Sequence, residues 1–244
     1  MTGGAVYRRV LLKVSGEALG GEAGFGLDPG MLAHVTRQVS GARDLGVEVA
    51  IVVGGGNFLR GVTLSAAGFD RVTGDRMGML ATLLNALALA ASFTRAGFGA
   101  VAMSAVEASG AIDPYRREAA DRALTGGQVV VLAGGTGNPF FSTDSAAALR
   151  AAELGAQALL KATKVDGVYD RDPVRDPTAT RFDALTYQAV IERSLGVMDL
   201  TAVTLCRENS IPIVVFDLFA DGALSAVLEG QAVGTTIGPS MKVS

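Results

Sequence analysis

The chain has 244 residues, with 21 Lys and Arg against 24 Asp and Glu for a net charge of −3, and 49% of it is hydrophobic at a mean hydropathy of +0.37. Such a supply of apolar side chains excludes a disordered chain, and the lack of tryptophan and of a long basic face argues against a nucleic-acid substrate. A lone Cys206 forms no intramolecular disulfide and no leader-like start is visible, which predicts the cytoplasm; the most apolar run, Met77 to Phe93, is shorter than a bilayer span and is interrupted by Asn85, so no membrane segment is expected.

Along the chain, Val10 to Val14 reads as a buried strand that runs into Lys13-Val14-Ser15-Gly16. Asp28 and Pro29 then supply an N-cap and a first helical residue, Met31, Leu32, Val35, Val39 and Ala42 follow at helical spacing, and Gly46 stops the helix. A second strand, Val47 to Val53, leads straight into Gly54-Gly55-Gly56-Asn57. The segment from Met77 to Arg95 is apolar nearly all round, as expected of a helix buried on every side or of one that packs on a second subunit, the reading preferred here. Further strands are predicted at Ala100 to Met103, Val129 to Leu132, Ala158 to Leu160 and Pro212 to Phe216. Between the last two, Asp166 to Asp183 is dense in Asp and Arg with Pro173 and Pro177, and reads as a hairpin or loop near a ligand. Apolar runs alternating with helical segments predict an α/β fold with a mostly parallel sheet covered on both faces.

Three glycine-bearing loops follow three of these strands, at the strand ends where open parallel sheets hold ligands. In the first, Lys13 brings a cation and Ser15 and Gly16 bring backbone amides, a combination suited to a phosphate chain; a solvated strand-end lysine is the alternative. In the second, Gly54 to Gly56 let backbone approach an anion and Arg60 adds a forked donor, the alternative being a flexible turn. The third, Gly134 to Asp144, mixes turn formers, hydroxyls and the pair Phe140-Phe141, with Thr143 or Asp144 open to capping the next helix. No G-x-G-x-x-G or G-x-x-x-x-G-K-[ST] is completed, no Cys/His cluster exists for a metal, and the lone His34 reads as an ordinary helix residue. These residues suit phosphoryl transfer to an acceptor that is already anionic, which needs positioning and charge neutralisation rather than a general base.

Arg9 to Leu19, Gly54 to Gly61, Gly74 to Thr82, Gly135 to Phe141, Lys161 to Tyr169 and Val197 to Leu200, in this order and spacing, resemble the signature blocks of the bacterial UMP kinases of the amino-acid-kinase-like superfamily. The resemblance implies a three-layer αβα sandwich forming a single domain over residues 1–244, with the acceptor site mainly from the N-terminal part and the ATP site mainly from the C-terminal part. It implies MgATP as donor, with Mg²⁺ held by phosphates and water. Lys13, Val14, Ser15, Gly16, Gly56, Arg60, Thr163, Tyr169 and Asp172 would meet ATP. Gly55, Arg60, Asp75 and the run Thr136, Gly137, Asn138, Pro139, Phe140, Phe141, Ser142, Thr143 would meet UMP. Lys13, Arg60, Asp144 and Asp199 would serve catalysis, the two aspartates by orienting Lys13 or the metal's water shell. Asp75 suits ribose hydroxyls, although a carboxylate near a helix N-terminus is its alternative reading.

The same resemblance implies a homohexamer inhibited by UTP and activated by GTP, with Gly21, Glu22, Ala23, Gly24, Phe25 and Gly26 matching a segment tied to activation. Ala90, Val101 and Gln128 stand where some relatives carry arginines near the effector, which weakens the GTP expectation. A kinase of the same fold acting on a carboxylate or carbamate, and a nucleotide sensor without turnover, are the rival readings.

Overall fold

A computed structural model describes residues 4–59 and 67–239. In chain order the elements are β1 (Arg9–Val14), α1 (Gly16–Leu19), α2 (Pro29–Asp44), β2 (Glu48–Val53), α3 (Arg71–Arg95), β3 (Ala100–Ser104), β4 (Asp113–Pro114), α4 (Arg117–Thr125), β5 (Val129–Ala133), α5 (Thr143–Leu154), β6 (Ala158–Thr163), β7 (Val168–Tyr169), β8 (Arg181–Phe182), β9 (Ala184–Thr186), α6 (Tyr187–Glu192), α7 (Leu200–Glu208), β10 (Ile213–Asp217), α8 (Ala223–Leu228) and β11 (Thr235–Gly238). Among the described residues, nine strands make one sheet in the order β4-β3-β5-β2-β1-β6-β10-β11-β9, parallel throughout except where β10 meets β11. Each strand expected from an apolar run is present, and the Asp166 to Asp183 segment contains the small antiparallel pair β7–β8.

Alternation along the strands divides the core into two layers. Val10, Leu12 and Val14 of β1 face one layer with Val35 and Val39 of α2, Phe93 of α3 and Leu224 of α8. Leu11 faces the other, with Leu124 of α4, Ala147 of α5, Val190 of α6 and Val203 of α7. Burial on both faces explains why the central strands read as unbroken apolar runs.

α2 is capped as expected, with Asp28 accepting from Met31 N–H at 2.9 Å and Gly46 at φ +77° after its end. α3 starts earlier than its apolar run: Asp70 caps it, and the Thr73 hydroxyl and amide hold that carboxyl below its usual range. Asp75 therefore sits in the second helical turn, and the N-terminal carboxylate role proposed for it as an alternative belongs to Asp70. At 25 residues α3 is long and apolar enough to cross a bilayer, yet half of its most apolar window is buried inside this molecule. Its outward stripe, Leu80, Leu84 and Leu87, is exposed.

The topology also locates the ligand crevice. From β1 the chain moves to β2 on one side, whereas from β6 it moves on to β10 on the other. The carboxyl ends of β1 and β6 thus flank a topological switch point, where open α/β sheets bind ligands.

Candidate active site

Leu11-Leu12-Lys13 and Leu159-Leu160-Lys161 are matching runs on neighbouring strands, and the parallel register sets Lys13 directly beside Lys161. Two adjacent ammonium groups repel, so a counterion is required. Asp144 supplies it from the first turn of α5: Lys13 Nζ lies 2.8 Å from Oδ1, and Lys161 Nζ donates to Oδ2 at 2.7 Å. The Lys13 contact is an ion pair without hydrogen-bonding geometry, since Oδ1 is buried and has no directed donor. Lys161 also donates to the Val197 carbonyl.

All three side chains are nearly out of solvent. Burial alone would raise the pKa of Asp144, but the two lysines outweigh it and hold the carboxyl below its usual range. For Lys161 burial wins: together with the charge of Lys13 it lowers the ammonium pKa against the opposing pull of Asp144.

Capping orders the surrounding segments. Ser142, not Thr143 or Asp144, is the N-cap of α5, accepting from the amides of Asp144 at 2.9 Å and Ser145 at 3.1 Å. An extended Ser142 (φ −80°, ψ 171°) places the hydroxyl over the first turn, which frees the Asp144 carboxylate to face the lysines. Asp199 caps α7 by accepting from Ala202 N–H at 2.9 Å, and it also accepts from the hydroxyls of Ser145, at 2.8 Å, and Ser142. The N-termini of α5 and α7 therefore converge on the cluster and add positive dipole ends to two lysines.

Two cavities lie on either side. One, of about 470 Å³, is walled by Lys161, Thr163, Tyr169, Asp172, Gly196 and Val197 among others. The other, of about 160 Å³, is walled by Gly55, Gly56, Asp75, Gly135, Asn138, Phe141 and Thr143 among others. Lys161 borders the first and Thr143, next to Asp144, the second, so the charged cluster sits between them.

Thr163, Tyr169 and Asp172, expected at ATP, share the larger cavity; Gly55, Asp75, Asn138, Phe141 and Thr143, expected at UMP, share the smaller one, together with Gly56, which was expected at ATP. Thr136 and Asn138 close a turn through the Thr136 hydroxyl, followed by Pro139 and by Phe140 at φ +72°. The Phe140 amide donates to Asp75 Oδ2 at 2.7 Å, while Arg71 Nε holds both oxygens of that carboxylate at 2.8 Å. Val14 is fully buried, and Ser15 caps α1 through Ala18 N–H at 3.2 Å. A Cβ on Gly16 would lie 2.6 Å from Gly56 N and 2.8 Å from Gly54 O, so the first two glycine loops are packed backbone to backbone.

Gly21 to Gly26 lie outside both cavity walls; Gly26 N–H donates to Asn57 O at 2.9 Å, and Phe25 sets an edge against Phe58. His34 bonds the Leu218 carbonyl from α2 and stacks on Phe219, an ordinary helix residue. Arg60 lies outside the described residues. Lys161 had not been singled out from sequence; a lysine ending an apolar strand, in the pattern of the Lys13 run, was its one signal. No group of three or more His, Cys, Asp or Glu able to hold a metal occurs among the described residues.

Residues 8–217 match the model of the amino acid kinase family. A uridylate kinase from Pseudomonas syringae pv. syringae is 54% identical, covering 96% of this chain and 95% of its own length. One from Brucella anthropi is 52% identical, covering 95% and 96%. Among solved structures, UMP kinase from Bacillus anthracis superposes with a TM-score of 0.93 at 35% identity, over 96% of this chain and 97% of that one. Uridylate kinase from Archaeoglobus fulgidus superposes at 0.71 and 28% identity, over 94% and 99%.

Proposed function

From the premise that this chain belongs to the amino acid kinase family and, within it, to the uridylate kinases, we propose that it transfers the γ-phosphoryl group of MgATP to UMP, giving UDP and ADP. The observation that carries the reading is the Lys13–Asp144–Lys161 cluster held between two cavities at the switch point of the sheet.

ATP occupies the larger cavity, its adenine and ribose near Thr163, Tyr169 and Asp172 and its phosphates toward Lys13, Ser15, Gly16 and Gly56. UMP occupies the smaller one, its ribose at Asp75 and its phosphate at Gly55 and the Thr136 to Thr143 loop, with Arg60 as an added cation. A phosphate oxygen of UMP attacks the γ-phosphorus as the bond to the β,γ-bridging oxygen breaks, and ADP leaves with that electron pair. Charge builds on the equatorial oxygens and the leaving oxygen, and Lys13 and Lys161 are fixed where they neutralise it. Asp144 holds both lysines and Asp199 holds the serines of α5 that frame it. The acceptor is already an anion, so no general base is needed. Bound Mg²⁺ would supply charge neutralisation on the transferring phosphates; phosphate oxygens and water would hold it, with Asp144 and Asp199 orienting that water.

The exposed stripe Leu80, Leu84 and Leu87 on α3 supports self-association, which we assign to assembly of a homohexamer. UTP inhibition and a cytoplasmic place in pyrimidine nucleotide synthesis complete the reading, and GTP added to the assay below decides whether Gly21 to Gly26 serve activation.

The test is ADP release from MgATP with UMP, CMP, dUMP, glutamate or acetylglutamate as acceptor. Selective turnover of UMP is expected; turnover of an acid alone would keep the fold and overturn the substrate, and binding of both nucleotides without UDP would make the protein a sensor. Asp75→Asn is expected to raise KM for UMP about tenfold, the size of one hydrogen bond to a charged group, with KM for ATP unchanged. Equal KM values for UMP in the two proteins would remove Asp75 from the acceptor site.

A further inference from the structure

α3 buries three polar side chains; Ser92 meets the Thr36 hydroxyl of α2, and the other two, Thr82 and Asn85, reach loops. Thr82 and Asn85 are 2% and 0% exposed and stand three residues apart, on one side of the helix. Each reaches a different loop. The Thr82 hydroxyl accepts from Gly134 N–H at 2.7 Å and donates to Met79 O at 2.6 Å within its own helix. Asn85 Nδ2 donates to Gly54 O and to Asn57 Oδ1, both at 2.7 Å, and its Oδ1 accepts from Asn57 Nδ2 at 2.9 Å. Asn57, itself 1% exposed, also donates to Gly26 O at 2.6 Å.

An apolar pair of the same shape can replace a buried amide pair at little cost in stability, so stability alone is not a reason for this one. What it does is fix register. Gly54 is the residue before Gly55 and Gly56, and Gly134 the residue before Gly135; these glycines line the same small cavity from opposite loops. Gly134 has φ +77°, and a Cβ there would lie 2.8 Å from Val106 N, so its backbone is also hemmed in by the segment after β3.

We propose that Thr82 and Asn85 are positioning residues for the acceptor, setting from one rigid helix the separation of the Gly54–Asn57 and Gly134–Phe141 loops. This rests on the reading of the smaller cavity as the UMP site. Thr82 borders the smaller cavity, but its hydroxyl is turned to Gly134 and Met79; Asn85 lies behind the wall, its amide engaged by Gly54 and Asn57, so the polar groups of both act through the loops. Gly55, Gly135, Asn138 and Phe141 of these loops wall the smaller cavity and none of them the larger one, so a shift in their spacing acts first on the acceptor, and Gly56, also placed at the ATP phosphates, is the point through which the donor is reached.

Thr82→Val keeps the volume and removes the hydroxyl, whereas Thr82→Ser keeps the hydroxyl. In the full-length protein, Thr82→Val is expected to raise KM for UMP about tenfold with KM for ATP within about twofold, and Thr82→Ser to stay near wild type. Amide exchange at Gly134, read by mass spectrometry on the peptide that contains it, should accelerate in Thr82→Val and not in Thr82→Ser. Asn85→Leu, which removes the amide at similar volume, should raise KM for UMP by more than KM for ATP, the latter moving through Gly56. Valine and serine variants that behave alike, or KM values for both nucleotides rising together, would overturn the positioning role. Wild-type protein that binds but does not phosphorylate UMP, with exchange at Gly134 still accelerated by valine, would overturn the assigned reaction and leave the anchoring of the loop standing.

Discussion

Lys13→Ala is expected to lower kcat by about two to three orders of magnitude, the loss seen when one preorganised donor to developing charge is removed, while KM for UMP stays within about twofold. Lys13 ends a strand that is buried on both faces and points its ammonium at Asp144 from a position fixed by the register with Lys161. A charge fixed this way needs no reorganisation as the γ-phosphoryl group moves, and its attraction for that group is greatest when negative charge is most concentrated, in the transition state. The effect therefore belongs in kcat. Loss of the side chain leaves Asp144 paired with Lys161, so the fold should persist; a circular dichroism melt and an ATP-induced rise in Tm would verify it. Turnover at the wild-type rate in this variant would take Lys13 out of the chemistry and leave Lys161 as the cation that matters.

The difference between Lys13 and Lys161 also marks where the sequence is informative. Lys13 precedes Ser15 and Gly16, and that local setting suggests phosphate chemistry; Lys161 precedes Ala162 and Thr163 and carries no such mark. Its role depends on β6 lying beside β1 although the paired Lys13 and Lys161 are 148 positions apart in the chain (161 less 13), a pairing that periodicity does not contain. The strands themselves were legible because burial on both faces leaves them little but Val, Leu, Ile and Ala. α2 was legible from its Asp28-Pro29 start and Gly46 stop. α3 was read short, since its first turn is polar and its cap, Asp70, lies seven residues ahead of Met77. The cap of α5 was misplaced by one or two residues because Ser142, Thr143 and Asp144 are all good capping residues, and only the extended backbone at Ser142 selects among them. Asn85 was visible as a break in an apolar run, but its partners, Gly54 and Asn57, lie 31 and 28 residues away.

Asp144→Asn tests the same cluster from its other side. The substitution keeps the shape and removes the counterion of two ammonium groups at adjacent register positions, so stability should fall by about 3–5 kcal/mol, as when one member of a buried ion pair is lost. Activity should fall with it, because Lys13 loses its counterion and Lys161 keeps only the Val197 carbonyl. The pH dependence separates charge from packing. In the wild type the folded pKa of Asp144 lies below the unfolded value of 3.8, so its contribution is full above that value and is lost as pH falls through the folded one. Lys161 has a folded pKa below 10.5, so between its two values the unfolded chain binds the proton more tightly and stability rises with pH. Removing Asp144 takes away an influence that raises that folded pKa and widens the interval downward, so the variant should regain stability as pH climbs. Denaturant midpoints at about pH 2, 7 and 10 should therefore show a gap between the two proteins that is widest near neutrality and narrows toward both extremes. A gap of constant size would mean that Asp144 acts by filling space, and the electrostatic account of the cluster would fall with it.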